Sequence, residues 1–129
     1  MALFAGVSLL GSPGPAMASH SYHHHFDVYA YDASGHLVSH GWGDLDQDGT
    51  GRVTLNNAGI KDDRADGHGA SMTIWYGTHG DDYFIANRDG NGSTVRDDNY
   101  FLSYETGYSA HACRLEGPFG CGATKTIHF

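Results

Sequence analysis

Two clusters in this chain carry residue types that do chemistry. The first is Asp44-Leu45-Asp46-Gln47-Asp48-Gly49, which has the Asp-x-Asp-x-Asp-Gly spacing of calcium loops. In such loops alternate carboxylates converge on a hard cation, and the glycine allows the sharp bend between them. An EF-hand needs a bidentate glutamate at the last loop position, where this chain has Leu55, and the pattern lacks flanking helices, so an EF-hand is excluded. A calcium site on a β-loop would need Asp62, Asp63 or Asp66 to fold in and complete the shell. The plainer expectation is an Asp/Gly turn between strands, in which aspartate caps its own backbone.

The second cluster is His23, His24 and His25, within a chain holding 10 histidines. On an extended strand His23 and His25 face the same side, and imidazoles so placed hold zinc or copper when a third ligand arrives from a neighbouring strand. His40 is the candidate if the registers cooperate. The plainer expectation is a solvated histidine run near a chain end, with His40 a hydrogen-bonded core histidine.

Catalytic signatures are missing. The sequence has no Gly-x-Ser-x-Gly elbow, no His-Glu-x-x-His and no phosphate loop, and its only glutamates, Glu105 and Glu116, have no positional support as a glycosidase dyad. No catalytic residue is assigned, and the chain is read as not an enzyme. Aromatic residues supply the remaining candidates. Trp75 alternates away from Met72 and Ile74, as Tyr29 and Tyr31 do from Val28 and Ala30, so the three are candidates for a stacking surface toward a sugar or an anchor patch for a protein.

The elements that position these residues read as short strands. Residues 26–31 alternate, Asp32-Ala33-Ser34-Gly35 supplies a turn, and residues 36–42 alternate again, which is a β-hairpin. Pairing Asp32 with His36 and continuing in simple register sets Ala30 opposite Val38, Val28 opposite His40 and Phe26 opposite Trp42. The expected core face is then Phe26, Val28, Ala30, Val38 and Trp42. Further strands are expected over 52–55, 69–76, 83–87, 94–102, 108–115 and 121–129, separated by Gly and Asp turns. Strands at this spacing predict an all-β, small antiparallel sandwich.

The ends of the sequence bear on compartment. Met1 to Gly11 is apolar and uncharged, Gly11 to Pro15 supply a Gly/Pro break, and Ala16 and Ala18 are small, as in a cleaved secretory signal. Residues 1–18 are therefore expected as a signal peptide and 19–129 as one domain of a secreted, extracellular protein, with no membrane span after cleavage. Cys113 and Cys121, the 2 cysteines of the chain, are expected to pair across a hairpin. A net charge of -8 with only 7 Lys and Arg argues against nucleic acid, whose phosphates require clustered cations.

Leu102-Ser103-Tyr104-Glu105-Thr106-Gly107-Tyr108 resembles the Leu-x-Pro-x-Thr-x-Tyr corner of fibronectin type III domains, with Tyr104 standing where proline is expected. The resemblance implies an immunoglobulin-like sandwich whose tyrosine hydrogen-bonds back to upstream backbone. The chain also resembles a group of small secreted actinobacterial β-proteins of unassigned function. That resemblance rests on Asp63-Arg64-Ala65-Asp66-Gly67-His68-Gly69, on the turn at residues 90–92, and on the terminal stretch from Cys113 through Cys121 to Gly122. It implies export and a compact β-fold, and it carries no activity. The functional expectation is a secreted, non-catalytic binding or interaction module for a protein or carbohydrate ligand. A calcium-stabilised extracellular β-domain, with Asp44, Asp46 and Asp48 as ligands, and a small secreted hydrolase are the alternatives.

Overall fold

The computed structural model describes residues 22–65, 67–76, 81–115 and 120–129; the expected signal segment lies outside the described residues. The strands are β1 (Tyr22–Tyr31), β2 (Leu37–Gln47), β3 (Val53–Asp62), β4 (Ala70–Tyr76), β5 (Asp81–Asn87), β6 (Thr94–Asp97), β7 (Tyr100–Ser103), β8 (Gly107–Arg114) and β9 (Lys125–His128). They form two antiparallel sheets. One has the order β1-β2-β3-β6, with β7 also paired to β3; the other has the order β9-β8-β4-β5. The expected all-β sandwich is what forms, and the Cys113–Cys121 disulfide closes at the end of β8. No helix long and apolar enough to cross a membrane occurs among the described residues.

Alternation builds the core. Phe26, Val28 and Ala30 from β1, with Leu45, Leu55 and Ile60 from the same sheet, face Met72, Ile74, Tyr108, Ala110 and Ala112 from the other, all at 2% exposure or less. Polar ties cross between the layers. Asn87, fully buried on β5, donates to the carbonyls of Ile60 and Ser93 at 3.2 and 2.8 Å and accepts from Asp89 N–H and the Ser93 hydroxyl. Ser39 on β2 donates to the Cys113 carbonyl at 2.9 Å, and Tyr83 on β5 donates to Asp97 on β6. At the start of β8 the Tyr108 hydroxyl meets the Ser103 hydroxyl at 2.7 Å, and the Glu105 N–H donates to Ser103 Oγ at 3.1 Å.

Four sequence expectations change. The histidine run is not a loose tail: it lies inside β1, which begins at Tyr22. Trp42 is not a core residue. The hairpin does start with Asp32 against His36, but a register shift between Ala30 and Tyr31 sets Ala30 opposite Ser39 and Phe26 opposite Gly43. A one-residue shift turns the side chains beyond it to the other face. The inward positions of β2 are thus Gly41, Gly43 and Leu45, and the glycines leave space that neighbours fill. A Cβ at Gly41 would lie 2.7 Å from the Met72 sulfur, and one at Gly43 would lie 2.7 Å from Leu55. His40 accordingly sits on the outer face opposite Tyr29, not in the core opposite Val28. Lastly, the strand expected over 94–102 is split into β6 and β7 by Asn99 at φ 54°, and that over 121–129 is regular only as β9, with Cys121 forming an isolated bridge to Cys113.

Candidate functional site

The outer face of the first sheet gathers the two clusters singled out in the sequence. In the β1–β2 register His23 lies opposite Asp46 and His25 opposite Asp44, so the histidine run and the aspartate run are cross-strand partners. His23 Nδ1 is 2.5 Å from Asp46 Oδ1, and His25 Nδ1 is 2.7 Å from Asp44 Oδ1. His25 Nε2 approaches Asp27 Oδ2 at 3.0 Å, and His40 Nε2 approaches Asp27 Oδ1 at 2.8 Å. Ion-paired hydrogen bonding to Asp46 and Asp44 raises His23 and His25 above the ordinary histidine value. Burial pushes the Asp44 carboxyl up, but hydrogen bonds from Asn57 and His25 outweigh it and leave the group below its ordinary value.

A bulge in β3 supplies the rest. Between the pairs Trp42–Gly59 and Asp44–Asn56, the two residues Asn57 and Ala58 stand opposite the single residue Gly43. Asn57 takes φ 49°, a conformation that asparagine tolerates better than most residues, and two successive asparagines then reach the outer face. Asn56 Nδ2 donates to Asp46 at 2.8 Å, Asn57 Nδ2 donates to Asp44 at 3.0 Å, and Asn57 N–H is held by Asp98.

Trp42 lies flat across Gly59, where an added Cβ would fall 2.3 Å from the indole, and the Arg96 guanidinium sits 5.6 Å from the ring centroid. On its other flank His40 is 5.0 Å away, itself stacked on Tyr29 at 4.6 Å. Trp42, His25, Asp44, Asn57, Arg96, Asp97 and Asp98 line a cleft of about 550 Å³. An aromatic floor ringed by carboxylate, amide and guanidinium groups can hold a small polar ligand with apolar ring faces.

The other expected site residues distribute as follows. Asp48 stands apart from Asp44 and Asp46: its Oδ1 accepts from Thr50 N–H, the Thr50 hydroxyl and Arg52 N–H, as the turn reading expects. Asp62 pairs with Ser39 at the opposite end of the β2–β3 ladder from Asp46, with Asp63 beyond it, and Asp66 lies outside the described residues. Tyr29 and Tyr31 are 40% and 56% exposed on β1, whereas Trp75 lies on β4 against His111 at 4.9 Å. The sandwich core separates the tyrosines from Trp75, so the three do not share one surface. Sequence reasoning passed over Asp27, Asn56, Asn57 and Arg96 and misplaced Trp42; the Asn56-Asn57 pair was the one local signal of a bulge. This chain matches no protein family, no curated protein and no solved structure.

Proposed function

We propose that this chain is an exported, non-catalytic binding module that takes a neutral carbohydrate on the outer face of its first sheet, with Trp42 as the platform. The observation that carries the reading is the Trp42 cleft. The Trp42 indole packs on Gly59 with the Arg96 guanidinium over its ring, and the ring surface left exposed in the cleft offers an apolar contact to the C–H groups of a pyranose, while Asp44, Asn57 and Asp98 offer acceptors and donors to its hydroxyls. Carboxylates in the cleft disfavour an anionic ligand. The carboxylates of the cleft are engaged in holding the fold, Asp44 by His25 and Asn57, Asp97 by Tyr83 and Asp98 by the Asn57 N–H, which favours binding over two-carboxylate glycoside hydrolysis. The disulfide supports export.

Strand order supports the immunoglobulin-like reading as well. If β2 is taken as strand A, then β3, β4, β8 and β9 fall at B, C, F and G, with C, F and G in one sheet and Tyr108 at the start of F. β1 is then an added edge strand, and it is the strand that carries the histidines.

Calorimetric titration of the full chain with a panel of soluble oligosaccharides tests the binding surface. A saturable change is expected that weakens about tenfold or more in Trp42→Ala and persists in Trp75→Ala, with the melting midpoints of both variants close to the parent. Binding that survives Trp42→Ala and fails in Trp75→Ala would move the surface to the other sheet.

A further inference from the structure

We propose that, once a dithiol reductant opens the Cys113–Cys121 disulfide, the two thiolates and the His111 imidazole hold one zinc ion, so that the disulfide and the metal site are alternative states of one clamp. The inference concerns the second sheet and does not depend on carbohydrate binding. Alternation places two of the donors: His111 and Cys113 are two residues apart on β8 and share the face turned away from the core residues Ala110 and Ala112. Cys121 comes from the chain beyond β8 and lies across an isolated antiparallel bridge from Cys113. One ligand atom from each of the three lies within 4.8 Å of the others, the one such gathering of histidine, cysteine and carboxylate groups among the described residues. Donors on a tetrahedral zinc, about 2.0–2.1 Å away for nitrogen and about 2.3 Å for sulfur, stand roughly 3.5–3.8 Å apart, so only a small movement separates this arrangement from a ligand set.

The sulfur–sulfur bond is not all that holds the three together. Backbone hydrogen bonds close the ladder on both sides of Cys121: the Arg114 N–H donates to the Gly120 carbonyl at 2.6 Å, and the Gly122 N–H donates to the Ala112 carbonyl at 2.8 Å. The Cys113 carbonyl is held in turn by the Ser39 hydroxyl at 2.9 Å. Glycine on either side of Cys121 permits this close approach, since a Cβ at Gly120 would fall 2.6 Å from the Arg114 carbonyl oxygen and one at Gly122 would collide with that of Tyr29. On reduction the sulfurs part by rotation of the two cysteine side chains, which leaves all of these contacts in place. The His111 ring stands edge-on to Trp75 at 4.9 Å and has no hydrogen-bond partner among the described residues, so a nitrogen turns to the ion without giving up a bond.

Access decides the order of steps. Cys121 is exposed and borders a cleft of about 350 Å³ with Tyr31, Asp32 and Arg114, whereas Cys113 is 8% exposed. A thiolate of the reductant attacks Cys121 Sγ, and Cys113 leaves as a thiolate. The second thiol of the reductant then attacks the mixed disulfide, releases Cys121 and departs as a cyclic disulfide, so two electrons and two protons pass to the chain. Zinc displaces the two thiol protons to solvent and takes the neutral imidazole as its third ligand, with water in the fourth position. Thiolate and imidazole donors select zinc over calcium, which takes oxygen ligands. An oxidising compartment favours the disulfide state and a reducing one the metal state.

The test compares the full chain in its disulfide form with the same chain reduced by a dithiol and freed of reductant without air. Both are titrated with zinc by calorimetry and with cobalt(II) by absorption. The reduced chain is expected to bind one ion, to show a thiolate-to-cobalt charge-transfer band, and to gain a higher urea midpoint with zinc, while the midpoint of the disulfide form stays unchanged. His111→Asn should weaken zinc binding by the reduced chain about tenfold or more, whereas His24→Asn and His40→Asn should not. Three results would each overturn the proposal: no thiolate–cobalt band in the reduced chain, undiminished binding in His111→Asn, or a reduced chain that zinc does not stabilise. If His111→Asn fails to fold, X-ray absorption of the zinc complex of the unaltered chain decides, because a shell without two sulfurs and an imidazole excludes the site.

Discussion

Trp42 and Gly59 fix one another, because the indole occupies the volume that any side chain at position 59 would need. A Cβ there would meet three indole atoms at 2.3, 2.6 and 2.9 Å. Gly59→Ala is therefore expected to push the ring out of the cleft and to cost about 1–3 kcal/mol, the range for overpacking a well-filled position. Urea unfolding would measure the cost, and a red-shifted emission maximum would report the displaced ring. Little of this was legible in the residues themselves. Trp42 is large and apolar and sits in an alternating strand, so hydrophobicity assigned it to the core. The core instead takes Gly41 and Gly43 on that strand, since Met72, Phe26 and Leu55 reach into the space above them.

At the scale of elements, the two tight turns of the first sheet are one device used twice. Asp32 and Asp48 each accept backbone N–H bonds from the second and fourth residues onward, and a glycine at positive φ, Gly35 or Gly51, follows three residues after the aspartate. The His36 N–H lowers Asp32, and the Thr50 hydroxyl lowers Asp48, below the ordinary carboxylate value. A carboxyl lowered on folding contributes stability that is present above the unfolded value of about 3.9 and is lost as pH falls through the folded value. The Asp32→Ala, Asp48→Ala double variant should thus melt lower than the parent near neutral pH, and the gap should narrow as pH falls below the ordinary carboxylate value of about 3.9. A gap that widened on acidification would contradict the sign. The disulfide is a separate element-scale clamp: with a sequence separation of 8, replacing both cysteines by serine should cost about 2.5 kcal/mol in the chain-entropy view. Denaturant midpoints measure that loss, and the Trp42 emission should not change, because the bridge lies on the other sheet.

For the whole molecule, the sandwich is held by apolar packing and by a few buried polar ties that fix how the layers meet. Asn87 is the most connected of these, with four hydrogen bonds and no exposure. Asn87→Leu removes the buried amide that holds the Ile60 and Ser93 carbonyls, and is expected to destabilise by about 1–3 kcal/mol. A loss below about 0.5 kcal/mol would mean that water replaces the amide. The sequence by itself determined the strand-rich class, the Asp32 and Asp48 turns, the inward set of Phe26, Val28, Ala30, Met72 and Ile74, and the cysteine pairing, because alternation, turn chemistry and short loop closure are local. Only the tertiary structure decided that the histidines of β1 face the aspartates of β2, that Asn57 joins them, and that Trp42 floors a cleft. Those outcomes depend on a register shift after Ala30 and a bulge at Asn57, and a strand's register is set by what packs beneath it from the other sheet.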